Sequence, residues 1–262
     1  MFKIQTLNNI SPLGLSRLPK ANYEVGSDIE CPDAYILRSF KMHGMEVPPS
    51  VVAVARAGAG TNNIPVDEYA KKGIVVFNTP GANANAVKEL VLAGMLVGAR
   101  KISQGAAFAR SLEGTDEEIS KAVESGKKNF VGFELPGKTL GVIGLGAIGG
   151  GVANSAVALG MHVIGYDPAI TISAAWNLSS QVERVNDVDE IFKRADVVTV
   201  HVPLIEPTKN LVNAERLAMM KPNGTILNFA RGGIVDDAAI TAALDAGKLG
   251  AYVCDFPSNA LK

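Results

Sequence analysis

The sequence predicts an α/β fold, a doubly wound parallel sheet preceded by a smaller α/β unit. Three observations carry this expectation. After residue 138, short apolar runs alternate with helical patterns, the mark of βα units in a parallel sheet. The first of those runs leads through a glycine-rich turn, Gly144 to Gly149, into a helix start. A second βα series fills the first 80 residues and has no such turn.

In chain order, strands are expected near residues 3–6, 34–38, 51–55 and 74–77, with a helix over 66–72 stopped by Gly73. This is a smaller, flavodoxin-like unit, placed at residues 1–86 and expected to form one wall of a cleft. From Ala84 to about Phe108 a largely apolar pattern predicts one long helix that bridges the two parts, with Lys88 and Glu89 early and Arg100 and Lys101 late. Residues 111–128 read as a polar, exposed helix running into a loop. The larger unit, residues 87–262 including the bridging helix, carries strands at 139–143, 161–166, 182–185, 196–202, 225–229 and 252–254. Ile148, Val152, Ala156 and Leu159 recur at helical spacing and Gly160 stops that helix. Asp236 is placed to cap a later helix whose inner face is Ala239, Ile240, Ala243 and Leu244.

The chain has 262 residues, 47% hydrophobic and 19% charged, with a formal net charge of -1. No long block of one sign occurs, so neither nucleic acid nor a membrane surface is an expected partner. Small molecules and other subunits are. The stretch between Lys138 and Asp167 holds no Asp, Glu, Lys or Arg and exceeds the roughly 20 residues that span a bilayer. Eight glycines from Gly141 to Gly165 argue instead for buried strands and a turn. The start is not that of a signal peptide. Cys31 and Cys254 lack metal-ligand spacing, so no metal is expected, and both read as buried reduced thiols in a cytoplasmic protein.

Gly144 permits a tight turn, Gly146 lets backbone approach a pyrophosphate, and Gly149 lets helix pack on strand, while free N–H groups at the helix start face phosphates. Asp167 ends the next strand about 20 residues on, where a carboxylate accepts ribose hydroxyls and repels a 2′-phosphate. Pro168 follows and no arginine waits nearby, so the expected cofactor is NAD rather than NADP. The sheet is thus of the Rossmann kind. His201, Val202 and Pro203 leave a strand at its carboxyl end, where His201 either contacts the cofactor or anchors the loop. Phe229, Ala230 and Arg231 leave another, and an arginine there can grip a carboxylate and polarise a carbonyl. In the smaller unit, Arg56, Gly58, Ala59 and Gly60 follow a strand, and Arg38 and Ser39 close its neighbour. Two arginines beside a glycine loop suit a substrate bearing a carboxylate and a phosphate, although ordinary ion pairs use arginines too.

These residues resemble the D-isomer-specific 2-hydroxyacid dehydrogenases over essentially the whole chain. Beyond the glycine turn the resemblance rests on residues 57–60, on 77–80 with Asn83 and Glu89, on 201–203, on 220–222 and on 228–233. Residues 129–138 and 252–257 resemble the branch that oxidises 3-phospho-D-glycerate to 3-phosphohydroxypyruvate in serine synthesis. The resemblance implies that Arg231 is catalytic and that Ala147, Ile148, Asp167, Val202, Ala230 and Asp255 line the NAD site. It implies further that Gly58 to Gly60 bind the substrate carboxylate and Arg38 and Arg56 its phosphate, in a homodimer. A family histidine removes the hydroxyl proton, with an acidic partner that falls near Asn259. None of His43, His162 and His201 matches that histidine, so the expectation is a longer enzyme whose base lies past Lys262. Two other readings stay open: reduction of glyoxylate, hydroxypyruvate or another small 2-oxo acid, and a non-catalytic module that senses NAD(H).

Overall fold

The computed structural model describes residues 1–261 and divides into two compact units, Met1–Asn83 and the chain from Ala84 onward. In the first unit the strands are β1 (Phe2–Thr6), β2 (Tyr23–Gly26), β3 (Ala34–Leu37), β4 (Ala53–Arg56) and β5 (Val75–Phe77), with helices α1 (Pro12–Leu15) and α2 (Val66–Lys71). The strands pair in parallel in the order β2-β1-β3-β4-β5, the flavodoxin-like order. Strand β2 is an addition to the sequence expectation. It is a four-residue edge strand without a fully buried position, so it shows no apolar period. Tyr35, Leu37, Val54, Ile64 and Tyr69 are buried together and hold β3 and β4 against α2.

The second unit opens with α3 (Ala84–Ala99), α4 (Ile102–Arg110) and α5 (Asp116–Gly126). One continuous helix to Phe108 was expected, and the chain breaks it at Arg100 and Lys101. The cause lies further along the chain, at Gly132 and Phe133. The Phe133 N–H takes the carbonyl of Ala99 at 2.9 Å, and Gly132 lies so close that a Cβ there would stand 2.1 Å from the same oxygen. With that carbonyl occupied and the path blocked, Lys101 turns into the left-handed region at φ 50° and a new helix starts. Helix α5 is fixed at its start by a capping box, in which Thr115 and Glu118 exchange side-chain and backbone hydrogen bonds.

Six parallel strands follow: β6 (Thr139–Ile143), β7 (His162–Tyr166), β8 (Val182–Arg184), β9 (Val197–Val200), β10 (Gly224–Asn228) and β11 (Leu249–Cys254). Their order, β8-β7-β6-β9-β10-β11, is that of a dinucleotide-binding sheet, with its switch point between β6 and β9. The connecting helices are α6 (Ala147–Ala158), α7 (Ile172–Trp176), α8 (Val188–Arg194), α9 (Ala214–Met219) and α10 (Asp237–Asp245). Helices α3 and α6 bury Val91, Met95, Val152 and Ala156 on one face, while α8, α9 and α10 bury Phe192, Leu217 and Ile240 on the other. Covered on both sides, β6 and β7 are buried at most of their positions, which accounts for the long uncharged stretch between Lys138 and Asp167 without a membrane. No helix among the described residues is long and apolar enough to cross one.

The cysteines differ from expectation. Cys31 is exposed, because it occupies a turn at φ 51° directly before Pro32, and Cys254 is half-buried near the end of β11.

Candidate functional site

Parallel strands of one sheet deliver their following loops to a common edge, and in the second unit that edge gathers the residues singled out after residue 140. Gly144 leaves β6 at φ +90°, a region side-chain-bearing residues avoid. A Cβ there would also stand 2.8 Å from the His201 carbonyl, so the turn after β6 and the loop after β9 pack backbone to backbone at the switch point. Gly149, one turn into α6, faces Gly144 so closely that a Cβ would lie 1.9 Å from its carbonyl oxygen. Gly146, the residue that caps α6, has nothing within 4 Å of where its Cβ would be. Two glycines therefore close the turn, and the third leaves open space in front of the helix start.

Ala147, Ile148 and Gly149 form the first turn of α6, whose N–H groups have no partner within the helix. That positively polarised backbone fits the pyrophosphate of a dinucleotide. Asp167, leaving β7, braces the same turn: its Oδ2 accepts the Leu145 N–H at 2.8 Å and its Oδ1 accepts the Ala169 N–H at 2.9 Å. Each oxygen keeps a lone pair for a further donor. Pro168 beside it is exposed.

After β9, the His201 N–H bonds to the Ile143 carbonyl at 2.7 Å, and its Nε2 lies 2.9 Å from the buried Thr199 hydroxyl. Burial lowers the imidazole pKa from 6.5 to about 4, so the ring is neutral across the physiological range. Val202 is half-buried and Pro203 exposed beyond it. The anchoring role weighed for His201 is thus satisfied by named partners.

After β10, the Phe229 ring turns inward against α3, where a Cβ on Gly94 would stand 2.7 Å from it. Ala230 is half-buried and Arg231 exposed, its Nη1 donating to the Ala230 carbonyl at 2.7 Å and its guanidinium 5.9 Å from the Phe256 ring centre. Asn228, fully buried at the strand end, shapes this loop. Its Nδ2 donates to the Arg231 carbonyl at 2.9 Å and to the Tyr252 hydroxyl at 3.4 Å, and its Oδ1 accepts the Ala230 N–H at 3.2 Å. Burial pushes the Tyr252 phenol pKa well above its usual value, so it stays protonated. Asp255, exposed after β11, donates its N–H to the Asn228 carbonyl at 3.1 Å. Neither Asn228 nor Thr199 stood out as a site residue. The signal for Asn228 is an amide at the end of an otherwise apolar run, and Thr199 offers none.

A cavity of about 540 Å³ opens at the opposite, amino ends of the strands, lined by Lys101, Lys138, Asp196, Asn223 and Leu249 among others. On its rim the Lys138 ammonium stands over the Phe133 ring, 5.8 Å from its centre.

In the first unit Arg38 and Ser39 are exposed just beyond β3, and Arg56 ends β4. The Arg56 Nε donates to the Arg38 carbonyl at 3.0 Å, and its guanidinium lies over Gly58, 3.6 Å from where a Cβ would be. Ala59 and Gly60 continue the loop, which Asn78 fixes by donating from Nδ2 to the Ala59 carbonyl at 2.7 Å. Asn83 is exposed at the end of the unit. Arg38, Ser39, Arg56 and Gly58 to Gly60 therefore come together at the carboxyl ends of β3 and β4. Of the remaining histidines, the His43 Nε2 lies 3.0 Å from the Asn62 carbonyl, and His162 opens β7 at the end of the sheet away from the glycine turn.

Comparison with known proteins agrees with this geometry. The sequence profile of the D-isomer specific 2-hydroxyacid dehydrogenase, NAD binding domain matches residues 93–260. D-3-phosphoglycerate dehydrogenase of Methanocaldococcus jannaschii is 43% identical over 211 residues, which are 80% of this chain and 38% of that protein. Hydroxypyruvate reductase of Thermotoga maritima is 42% identical over 205 residues, 78% of this chain and 61% of that one. The chain thus spans less than two thirds of the length of these curated relatives. Among solved structures, apo D-mandelate dehydrogenase of Rhodotorula graminis superposes with a TM-score of 0.82 at 26% identity, covering 99% of this chain and 84% of that one. NAD+-bound 3-phosphoglycerate dehydrogenase of Entamoeba histolytica gives 0.71 at 26% identity, covering 98% and 81%. The chain belongs to the D-isomer specific 2-hydroxyacid dehydrogenase family, and its second unit is that family's NAD-binding domain.

Proposed function

We propose that this chain serves the NAD-dependent oxidation of 3-phospho-D-glycerate to 3-phosphohydroxypyruvate, in the cytoplasm and as a homodimer. The observation that carries the phosphorylated substrate is the first unit's loop edge, where exposed Arg38 and Ser39 adjoin Arg56 and the Gly58–Gly60 turn. Arginine forks and free N–H groups match phosphate and carboxylate oxygens. When bound, NAD takes up the hydride from C2 of the hydroxy acid. The protein's own residues do the rest. The first turn of α6 holds the pyrophosphate, and Asp167 accepts the adenosine ribose hydroxyls and keeps out a 2′-phosphate. Val202, Pro203, Ala230 and Asp255 line the remainder of that site, and Asn83 adds to the substrate side. Arg231 polarises the C2 oxygen and holds the carboxylate. None of the three histidines is assigned the proton: His201 is neutral and engaged with Thr199, His43 faces a carbonyl, and His162 lies at the wrong end of its strand.

A second reading, reduction of hydroxypyruvate or glyoxylate, is favoured by the likeness to the Thermotoga maritima reductase. NADH oxidation with 3-phosphohydroxypyruvate and with glyoxylate, before and after replacing both Arg38 and Arg56 by Ala, separates the two. Selective loss of the phosphorylated substrate supports the proposal, and equal loss of both removes the phosphate assignment. NADH binding with no turnover of any 2-oxo acid would point instead to a sensor of NAD(H).

A further inference from the structure

Two asparagines bracket the segment Arg38–Phe40 from opposite chemical sides. Asn8, just past β1, uses one oxygen twice: its Oδ1 accepts the Arg38 N–H at 3.2 Å and the Phe40 N–H at 2.7 Å. Asn63, in the loop between β4 and α2, uses one nitrogen twice: its Nδ2 donates to the Arg38 carbonyl at 3.3 Å and to the Phe40 carbonyl at 2.7 Å. The Arg56 Nε adds a second bond to the Arg38 carbonyl. The backbone donors and acceptors on both sides of Ser39 are therefore held. Ser39 itself has no hydrogen-bond partner for its N–H or hydroxyl among the described residues.

The arrangement is costly. The Asn63 Oδ1 is buried with no hydrogen-bond partner, a state proteins avoid. Turning the amide over would satisfy nothing, because it would set that oxygen against two carbonyl oxygens. The donor side of Asn63 is thus what the segment requires, at the expense of its acceptor. Local cost of this kind collects where a fold must present a group in a fixed place. Here the group presented is Ser39 with the Arg38 side chain, on a segment outside any strand.

We propose that Asn8 and Asn63 are positioning residues for the phosphate of the substrate, holding the Arg38–Phe40 segment so that Ser39 and Arg38 meet the phosphoryl oxygens together. This rests on the phosphorylated-substrate reading above. In it, Arg56 serves as much to brace the segment as to contact the anion.

The test is calorimetric titration of the whole chain with 3-phospho-D-glycerate and with D-glycerate, which differ only in the phosphate and need no turnover. Asn8→Ala and Asn63→Ala should each weaken 3-phospho-D-glycerate by about tenfold, the loss expected for one or two well-made hydrogen bonds, and leave D-glycerate within about twofold. Arg38→Ala serves as the control for the underlying reading. Loss of the preference in Arg38→Ala with its retention in both asparagine variants overturns the clamp alone. No preference in the unaltered chain, unchanged by Arg38→Ala, overturns the phosphate reading and the clamp with it. Equal weakening of both ligands by the asparagine variants also overturns the clamp, since a merely structural role acts on both alike. Should Asn63→Ala fail to fold, Asn8→Ala carries the same comparison.

Discussion

The carboxylate of Asp167, at the end of β7, accepts the backbone N–H of Leu145 at 2.8 Å in the glycine turn that leaves β6. The residue suited to recognise a ribose is thereby also the brace of the turn suited to hold the pyrophosphate. Two strands that neighbour each other in the sheet share one side chain at their ends, so the two halves of a dinucleotide site are set by a single contact rather than independently.

Asp167→Ala should therefore do more than relax cofactor choice. It frees the Leu145 and Ala169 N–H groups, which predicts a loss of about 1–2 kcal/mol in stability. NADH affinity should fall at least about tenfold, a difference of about 1.4 kcal/mol. NADP should gain relative to NAD yet stay weak in absolute terms, because the carboxylate that repels a 2′-phosphate is gone but so is the brace of the turn that holds the pyrophosphate. Fluorescence titration with both reduced cofactors, beside a urea melt, checks the pair. An unchanged melt would show that Asp167 acts on the ligand alone.

Two glycines of the turn should fail in opposite ways when given a methyl group. Gly149→Ala places a Cβ 1.9 Å from the Gly144 carbonyl oxygen, so α6 must move off β6, at a cost of about 1–3 kcal/mol or more. Gly146→Ala meets nothing within 4 Å and keeps an ordinary φ of -70°. Its stability should change by about 1 kcal/mol or less, while the methyl occupies the space a pyrophosphate needs and NADH binding is lost. Thermal midpoints and NADH titrations of both variants give the contrast. Similar losses of stability in the two would contradict it.

What could be read from the chain, and what could not, divides by the range of the causes. Gly144, Gly146, Gly149 and Asp167 were legible because the turn and its acid lie within one βαβ unit, and their spacing alone defines them. Arg38, Arg56 and Arg231 were legible as cations at strand ends. The break at Lys101 was not, since it is imposed by Gly132 and Phe133 crossing the end of α3, while residues 84–108 read locally as one helix. Strand β2 escaped because an edge strand without a buried position has no pattern to show. Cys31 was misplaced because the general burial of cysteine was set against a turn that only its neighbour Pro32 hints at. The amides of Asn8 and Asn63 gave no sign, for each acts on a segment 23 or more residues away.

His201 should make stability depend on pH in a stated direction. Its folded pKa, about 4, lies below the ordinary value of 6.5, so the unfolded chain takes up a proton first as pH falls. The contribution is fully present above pH 6.5 and is lost as pH falls toward 4, at a slope of at most about 1.4 kcal/mol per pH unit for one site. Partial exposure of the residue lowers that ceiling. Urea melts at pH 7.5 and pH 5 should differ by about 1–2 kcal/mol more in the unaltered chain than in His201→Asn. An equal difference in the two would mean that other groups carry the acid sensitivity.

Asn228 should matter to the Arg231 loop out of proportion to its distance from solvent. Its amide holds the Ala230 N–H and the Arg231 carbonyl, so Asn228→Ala leaves both groups to find other partners beside the hydroxyl of half-buried Tyr252. The expected loss of stability is about 2 kcal/mol. Arg231→Lys, at an exposed position, should leave the thermal midpoint unchanged and lower kcat/KM by about a hundredfold, because an ammonium keeps the charge but not the two-pronged grip on a carboxylate. Asn228→Ala should lower kcat/KM as well, through a misplaced guanidinium. In the double variant the two losses should then fall short of additive, since an arginine already replaced cannot be misplaced again. Full additivity in kcat/KM would show that Asn228 supports the strand end without positioning Arg231.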